Sequence, residues 1–154
     1  MFTRLRGTRR LVMAAVMGLV ATVLVSNPAW AEGSWSSYLD QVRVGFESRR
    51  WYDGNVDAAN TTIGVYGSCW VEWPTQGSQD FQLRVYQVEP WYLPNTNRGT
   101  GSYNCFTSGN KIVNWGRLAP NDDYYFKVVS IGGQTGSTPH LTTTCGNTCL
   151  KVYY

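Results

Sequence analysis

Beyond residue 40, apolar and polar positions alternate with the period of a strand, not that of a helix. Val42, Val44 and Phe46 alternate with Gln41, Arg43 and Gly45, and Ile63 alternates with Val65 inside TTIGVYGSCWVEW. Phe81, Leu83 and Val85 alternate with Gln82, Arg84 and Tyr86, and the runs KIVNW, DYYFKVVSI, HLTTTC and LKVYY follow. Between them lie DGN, TQGSQD, PNTNRGTGS, TSGN, APND and GGQTGSTP, all rich in residues that favour turns. Nothing after residue 40 keeps a 3.6-residue apolar stripe for two turns. The pattern predicts an all-β domain of about seven or eight strands, a sandwich or a small barrel. SWSSYLDQV, just before this region, admits a helical turn capped by Ser37 with Asp40 three residues on, or a loose extended arm.

The first thirty residues follow another rule. Arg4, Arg6, Arg9 and Arg10 precede an apolar run from Leu11 to Val25, and Ala29-Trp30-Ala31 supplies small residues before a cut. That is the layout of a secretory signal peptide, and the run is short for a spanning helix. Residues 1–31 are therefore read as a signal peptide of bacterial type. Residues 32–154 are read as one extracellular domain with no membrane attachment, carrying an N-terminal arm over 32–41 that reads as flexible. The cut changes the charge. The intact chain carries +3, but removing four of its 13 Lys/Arg leaves nine against ten Asp/Glu. A near-neutral domain makes no field to steer a polyanion, so no nucleic-acid partner is expected.

All four cysteines, Cys69, Cys105, Cys145 and Cys149, lie in this exported part. Disulfides are the expectation in an oxidising compartment, with three pairings open. The preferred pairing is Cys69–Cys105 with Cys145–Cys149. The first closes a long loop, and the second embraces Gly146-Asn147-Thr148, where a tight turn brings two sulfurs together. A zinc site would need paired knuckles, and Cys69 and Cys105 stand alone.

The reagents of catalysis are scarce. His140 is the one histidine, at a strand start after a proline, and a Ser-His-Asp trio or a catalytic zinc asks for more. Of the carboxylates, only Glu47 and Glu72 lie within or beside apolar strands, and the rest fall in turns. No enzyme, cofactor or metal is expected. Asp53, Asn55 and Asp57 offer hard oxygens at alternate positions, but Ala58 stands where a calcium loop asks for glycine. An Asx-rich turn is the simpler reading.

Aromatic residues are the main departure in composition. Six of the seven tryptophans survive the cut, with ten tyrosines. A domain this small does not bury them all, so some should be exposed. Pro90 and Pro94 bracket Trp91-Tyr92 and stiffen that loop, which suits stacking on a sugar or anchoring a protein contact. In GFESRRWYD, Arg49 and Arg50 cannot both face one side of a regular strand. One is expected to pair with Glu47 or Asp53, the other to stack on Trp51 or reach outward. The interface candidates are thus Trp35 and Tyr38 on the arm, Arg49, Arg50 and Trp51, and Trp91 with Tyr92.

Two resemblances add to this. In GRLAPNDDYYFKVVS, residues 116–130, the spacing of Leu118, Pro120, Tyr124 and Val128 resembles the entry to strand F of fibronectin type III and related immunoglobulin-like domains. The resemblance implies a disulfide-stabilised β-sandwich of immunoglobulin-like type, with Tyr124 as a corner whose hydroxyl bonds back to the preceding loop. The second is one of layout and size across residues 32–154. The arm EGSWSSYLDQV, the GFESRRWYD segment, the four-cysteine all-β body and the closing CLKVYY look like the small secreted adaptor subunit of the umbrella toxin particles of Streptomyces. That family implies a non-enzymatic linker that joins a lectin-like component to a large scaffold protein of the toxin complex, with the arm near Trp35 as one docking element. The alternative is a secreted carbohydrate-binding β-sandwich module with a glycan as its ligand.

Overall fold

A computed structural model describes residues 33–56, 58–72, 79–105, 109–136, 139–144 and 148–154. The signal-peptide segment, Trp73, Asp57 and Cys145 lie outside the described residues. Ten strands follow in order: β1 (Ser34–Ser37), β2 (Trp51–Asp53), β3 (Thr62–Val65), β4 (Cys69–Glu72), β5 (Asp80–Gln87), β6 (Thr96–Asn104), β7 (Lys111–Asn114), β8 (Asp122–Ile131), β9 (His140–Thr143) and β10 (Leu150–Tyr153). No α-helix occurs among the described residues. One sheet has the order β1-β10-β3-β7, a second β2-β8-β5-β6, and β4 pairs with β9 alone. All pairings are antiparallel. The fold is a disulfide-stabilised β-sandwich.

The count of ten, against the seven or eight expected, has a simple cause. Both β3 with β10 and β4 with β9 run antiparallel, as though two longer strands lay side by side. Three residues lie between Val65 and Cys69, while six lie between Thr143 and Leu150. Each strand is split in two because the register cannot run through this longer path. Cys149 at its far end is disulfide-bonded. The expected pairing with Cys145 falls on a residue outside the described ones. Counted as continuous paths, with the segment from 34 to 42 as the first, the strands number eight.

The alternation seen in the sequence is the alternation of the core. Phe81, Leu83 and Val85 of β5 and Tyr124, Phe126 and Val128 of β8 are all buried. The register slips by one residue between Gln82 and Leu83, so that Ile131, three beyond Val128, again faces inward. Cys69 of β4 and Cys105, next after β6, are bonded across 36 residues, as preferred from the sequence.

Three segments depart from expectation. PNTNRGTGS reads as a loop, yet β6 runs through it. Its inward positions are Gly99, Gly101 and Tyr103, so no apolar alternation marks it. A Cβ on Gly101 would come within 2.8 Å of the Trp115 ring and 2.7 Å of Val113, so the indole occupies the space that side chains of this strand would fill. Val42-Val44-Phe46 reads as a strand, but the chain turns there. Phe46 N–H donates to the Arg43 carbonyl, and Gly45 takes φ 98°, which favours glycine. The arm is neither a helical turn nor loose. Ser34–Ser37 pairs with Tyr153–Leu150, and Leu39 and Val42 continue along Thr143 and Leu141.

The corner at Tyr124 is formed. Its side chain is fully buried and its hydroxyl donates to the Ala119 carbonyl at 2.8 Å. Burial, reinforced by the Asp122 carboxylate, pushes the hydroxyl pKa up to about 12. Tyr103, buried and donating to the Ile63 carbonyl, is raised further still by burial. The folded state keeps these protons where the unfolded chain has released them. Stability present below about pH 10 is therefore lost as pH rises through 12. Tyr124→Phe should cost about 1 kcal/mol at neutral pH by urea unfolding and remove part of the alkaline loss; an unchanged midpoint would deny the corner its role. Replacing both Cys69 and Cys105 by Ala should lower stability by on the order of 4 kcal/mol, the loop-entropy value for such a ring.

Candidate functional site

The segment 45–53 forms the outer strand against β8. Gly45 N–H donates to the Val128 carbonyl at 2.8 Å, Val128 N–H to Phe46 at 2.9 Å, and Ser48 N–H to Phe126 at 2.9 Å. Glu47 lies opposite Lys127, but Trp51 lies opposite Tyr124, so between these pairs three residues on one side face two on the other. The extra residue makes a bulge over Ser48-Arg49-Arg50. Ser48 repairs the ladder: Phe126 N–H donates to its Oγ at 3.0 Å in place of a carbonyl.

The bulge sends the two arginines to different places. The Arg49 guanidinium lies 4.4 Å from the centroid of the Trp35 ring. Arg50 instead lines an open depression of about 450 Å³ with Val88, Glu89, Trp91, Leu93 and Asn95. The expected partners are otherwise engaged. Glu47 pairs with Lys127 at 3.1 Å. Asp53 is buried, accepts from Thr61 Oγ1 and from Asn55 N–H at 3.0 Å each, and so organises its own turn. Asn55 gives its amide to the Leu118 carbonyl and accepts from Arg117, which fits an Asx turn; Asp57 of the calcium pattern lies outside the described residues.

The interface candidates divide by burial. Trp35 is 7% exposed and packs on Phe126, Trp51 and Arg49, while Trp51 contacts Tyr124 and Tyr154 as well. These two indoles belong to the core. Tyr38, Arg49, Arg50 and Tyr92 are exposed, and Trp91 is 95% exposed. The Trp91 turn is held firmly at its base. Leu93 N–H closes onto the Pro90 carbonyl at 2.8 Å, and Glu89 N–H donates to Asn95 Oδ1 at 3.0 Å. Asn95 Nδ2 in turn donates to the Tyr125 hydroxyl, and Thr96 Oγ1 to Glu89. Trp91 and Tyr92 meet edge to face at 5.8 Å, with Leu93 beside them half exposed. An apolar ridge on a clasped turn keeps its shape without a partner, which reduces the ordering cost of binding one.

The sequence missed a second feature. A pocket of about 140 Å³ opens where β1 approaches residues 46–49, with Leu39, Phe126 and Leu150 at its lining and Phe46 and Tyr38 at its mouth. No local pattern signals it, because it forms only where Trp35 meets the GFESRRWYD segment in space. Glu47 and Glu72, the two strand carboxylates, sit on separate ladders, Glu47 opposite Lys127 and Glu72 opposite His140. Among the described residues no group of three His, Cys, Asp or Glu is placed to hold a metal, and no helix is long and apolar enough to cross a membrane. No protein-family model matches the chain, and no curated protein matches it.

Trp35→Ala should cost about 3–5 kcal/mol of stability, because it empties a core site, so it is not a clean test of docking. Trp91→Ala and Arg50→Ala should stay within about 0.5 kcal/mol of the parent. Urea unfolding of the three variants separates the two classes, and an unaffected Trp35→Ala would contradict its place in the core.

Proposed function

We propose that this protein is a secreted, non-enzymatic adaptor that binds other extracellular proteins. Following the layout resemblance, its partners are a lectin-like component and a large scaffold protein of an extracellular toxin complex. The observation that carries the reading is the ridge of Trp91, Tyr92 and Leu93, exposed on a clasped turn next to Arg50. Water solvates such a ridge poorly, and aromatic and arginine side chains dominate the energetics of protein interfaces. The Cys69–Cys105 bond fits export to an oxidising compartment.

A second reading keeps one specific support. Trp91 stands beside a depression that also holds Arg50, Glu89 and Asn95, and an aromatic face next to polar groups suits a sugar ring.

The tagged protein, recovered from its own culture supernatant, should carry large secreted proteins in stoichiometric amount. Trp91→Ala should reduce their recovery at least about tenfold without changing the melting temperature. Recovery as a partner-free monomer would overturn the adaptor reading. Glycan-array binding lost in Trp91→Ala would then favour the carbohydrate module.

A further inference from the structure

Arg49 and Arg50 serve different surfaces, and the Arg49 surface has its own geometry. Among the described residues, β1 is the outermost strand of its sheet and pairs on one side only, with β10. Its sequence, Ser34-Trp35-Ser36-Ser37, holds neither a charge nor a proline, the usual guards of a free edge. The pocket lies directly beside that edge, with Ser36 and Ser37 in its lining. Its size is close to that of an apolar cavity that accepts a benzene ring, so it fits one aliphatic or aromatic side chain. Phe46 is 38% exposed and Tyr38 49% exposed at its mouth. Trp35, which lines it, has a buried indole N–H with no acceptor among the described residues.

Charge narrows the occupant. Among the described residues, Arg49 is the one charged side chain lining the pocket, and Glu47 nearby is already paired with Lys127. A second copy of this chain fits poorly. Its own β1 presents serines, and its one large side chain there, Trp35, is buried in its own core.

We propose that the mouth between β1 and residues 46–49 is a strand-addition site for an extended segment of a partner protein. The segment pairs with the free edge of β1, seats one apolar side chain in the pocket, and sets a carboxylate two residues away against Arg49. Side chains two apart share a face of a strand, which places both on the side of the mouth. The proposal rests on the adaptor reading and gives it a second surface, distinct from the Trp91 ridge.

The test uses the secreted protein and fluorescein-labelled peptides of the form Thr-Ser-Thr-X-Thr-Asp-Thr-Ser, with X as Val, Leu, Phe, Trp or Ala, read by anisotropy. Saturable binding is expected for at least one large X, weakened about tenfold by X as Ala, by Asp→Asn in the peptide, and by Arg49→Glu in the protein. N-methylation of alternate amides should abolish binding for one of the two sets only, because a strand faces its neighbour with every second amide. Trp91→Ala should leave the affinity unchanged. Absence of saturable binding at about 1 mM for every peptide would overturn the proposal, as would affinity indifferent to Arg49→Glu or to both methylation patterns. Sedimentation as a dimer that Arg49→Glu dissociates would also overturn it and assign the edge to self-association. Because the peptides need no native partner, these results stand apart from recovery of partners from the supernatant. Peptide binding without co-purifying proteins would sink the adaptor reading alone, and the converse would sink only the strand-addition site.

Discussion

Trp51 lies between three other aromatic rings, with Trp35, Tyr124 and Tyr154 all within 6.2 Å of its centroid. Each neighbour comes from a different stretch of chain: β1, the start of β8 and the last residue. Their convergence couples β1 and Tyr154 to β2 and β8, strands of the other sheet that the backbone ladders do not join to them. β1 is held by Trp35 as well as by its ladder to β10, and Tyr124, bonded through its hydroxyl to Ala119, also packs on Trp51. The arrangement has an unfavourable element. The indole N–H groups of Trp35 and Trp51 are both buried with no acceptor among the described residues. Apolar contact over four large rings must outweigh two unmade hydrogen bonds, each worth about 1–3 kcal/mol when left unpaired.

The same region explains how one short strand serves two surfaces. A regular strand would put Arg49 and Arg50 on opposite faces, one of them directed toward the core. The bulge lets both side chains reach solvent, Arg49 by lying over Trp35 and Arg50 by turning toward the Trp91 loop. Ser48 keeps the ladder intact through its hydroxyl, so the irregularity costs little pairing. The arginines are separated by geometry, with little ionic pairing involved.

Much of this was legible along the chain, for reasons that differ by element. Phe81, Leu83 and Val85 announced β5 because one of its faces is buried and the other is wet. Tyr124 announced its corner because an aromatic after a turn can be buried only with its hydroxyl paired. The prolines flanking Trp91-Tyr92 marked a stiff exposed turn because their effect is local. What stayed hidden depends on distant partners. β6 carries glycines where alternation would show, since the indole of Trp115 supplies the apolar bulk from another segment. The burial of Trp35 is decided by β10 and Phe126, roughly a hundred residues on, and nothing in Ser-Trp-Ser-Ser encodes that. The stacking of Arg49 on Trp35, where Trp51, Glu47 and Asp53 were the nearby choices for the two arginines, stayed hidden for the same reason: Trp35 is near in space and outside the local segment.

The pairing of Ser34 with Tyr153 has a mechanical consequence. Two antiparallel neighbours joined at these positions present their hydrogen bonds in series to a force that pulls them apart there, so the ladder opens one bond at a time, as a zipper does. A load entering through the Trp91 turn meets the opposite case. β5 and β6 leave that turn as one hairpin, paired from end to end, and β5 is bonded from Phe81 to Gln87 to β8, so the hairpin must slide past β8 before anything gives. The molecule is therefore compliant at one end and stiff at the other, and tension applied between them would peel β1 from its sheet while the Trp91 ridge kept its form.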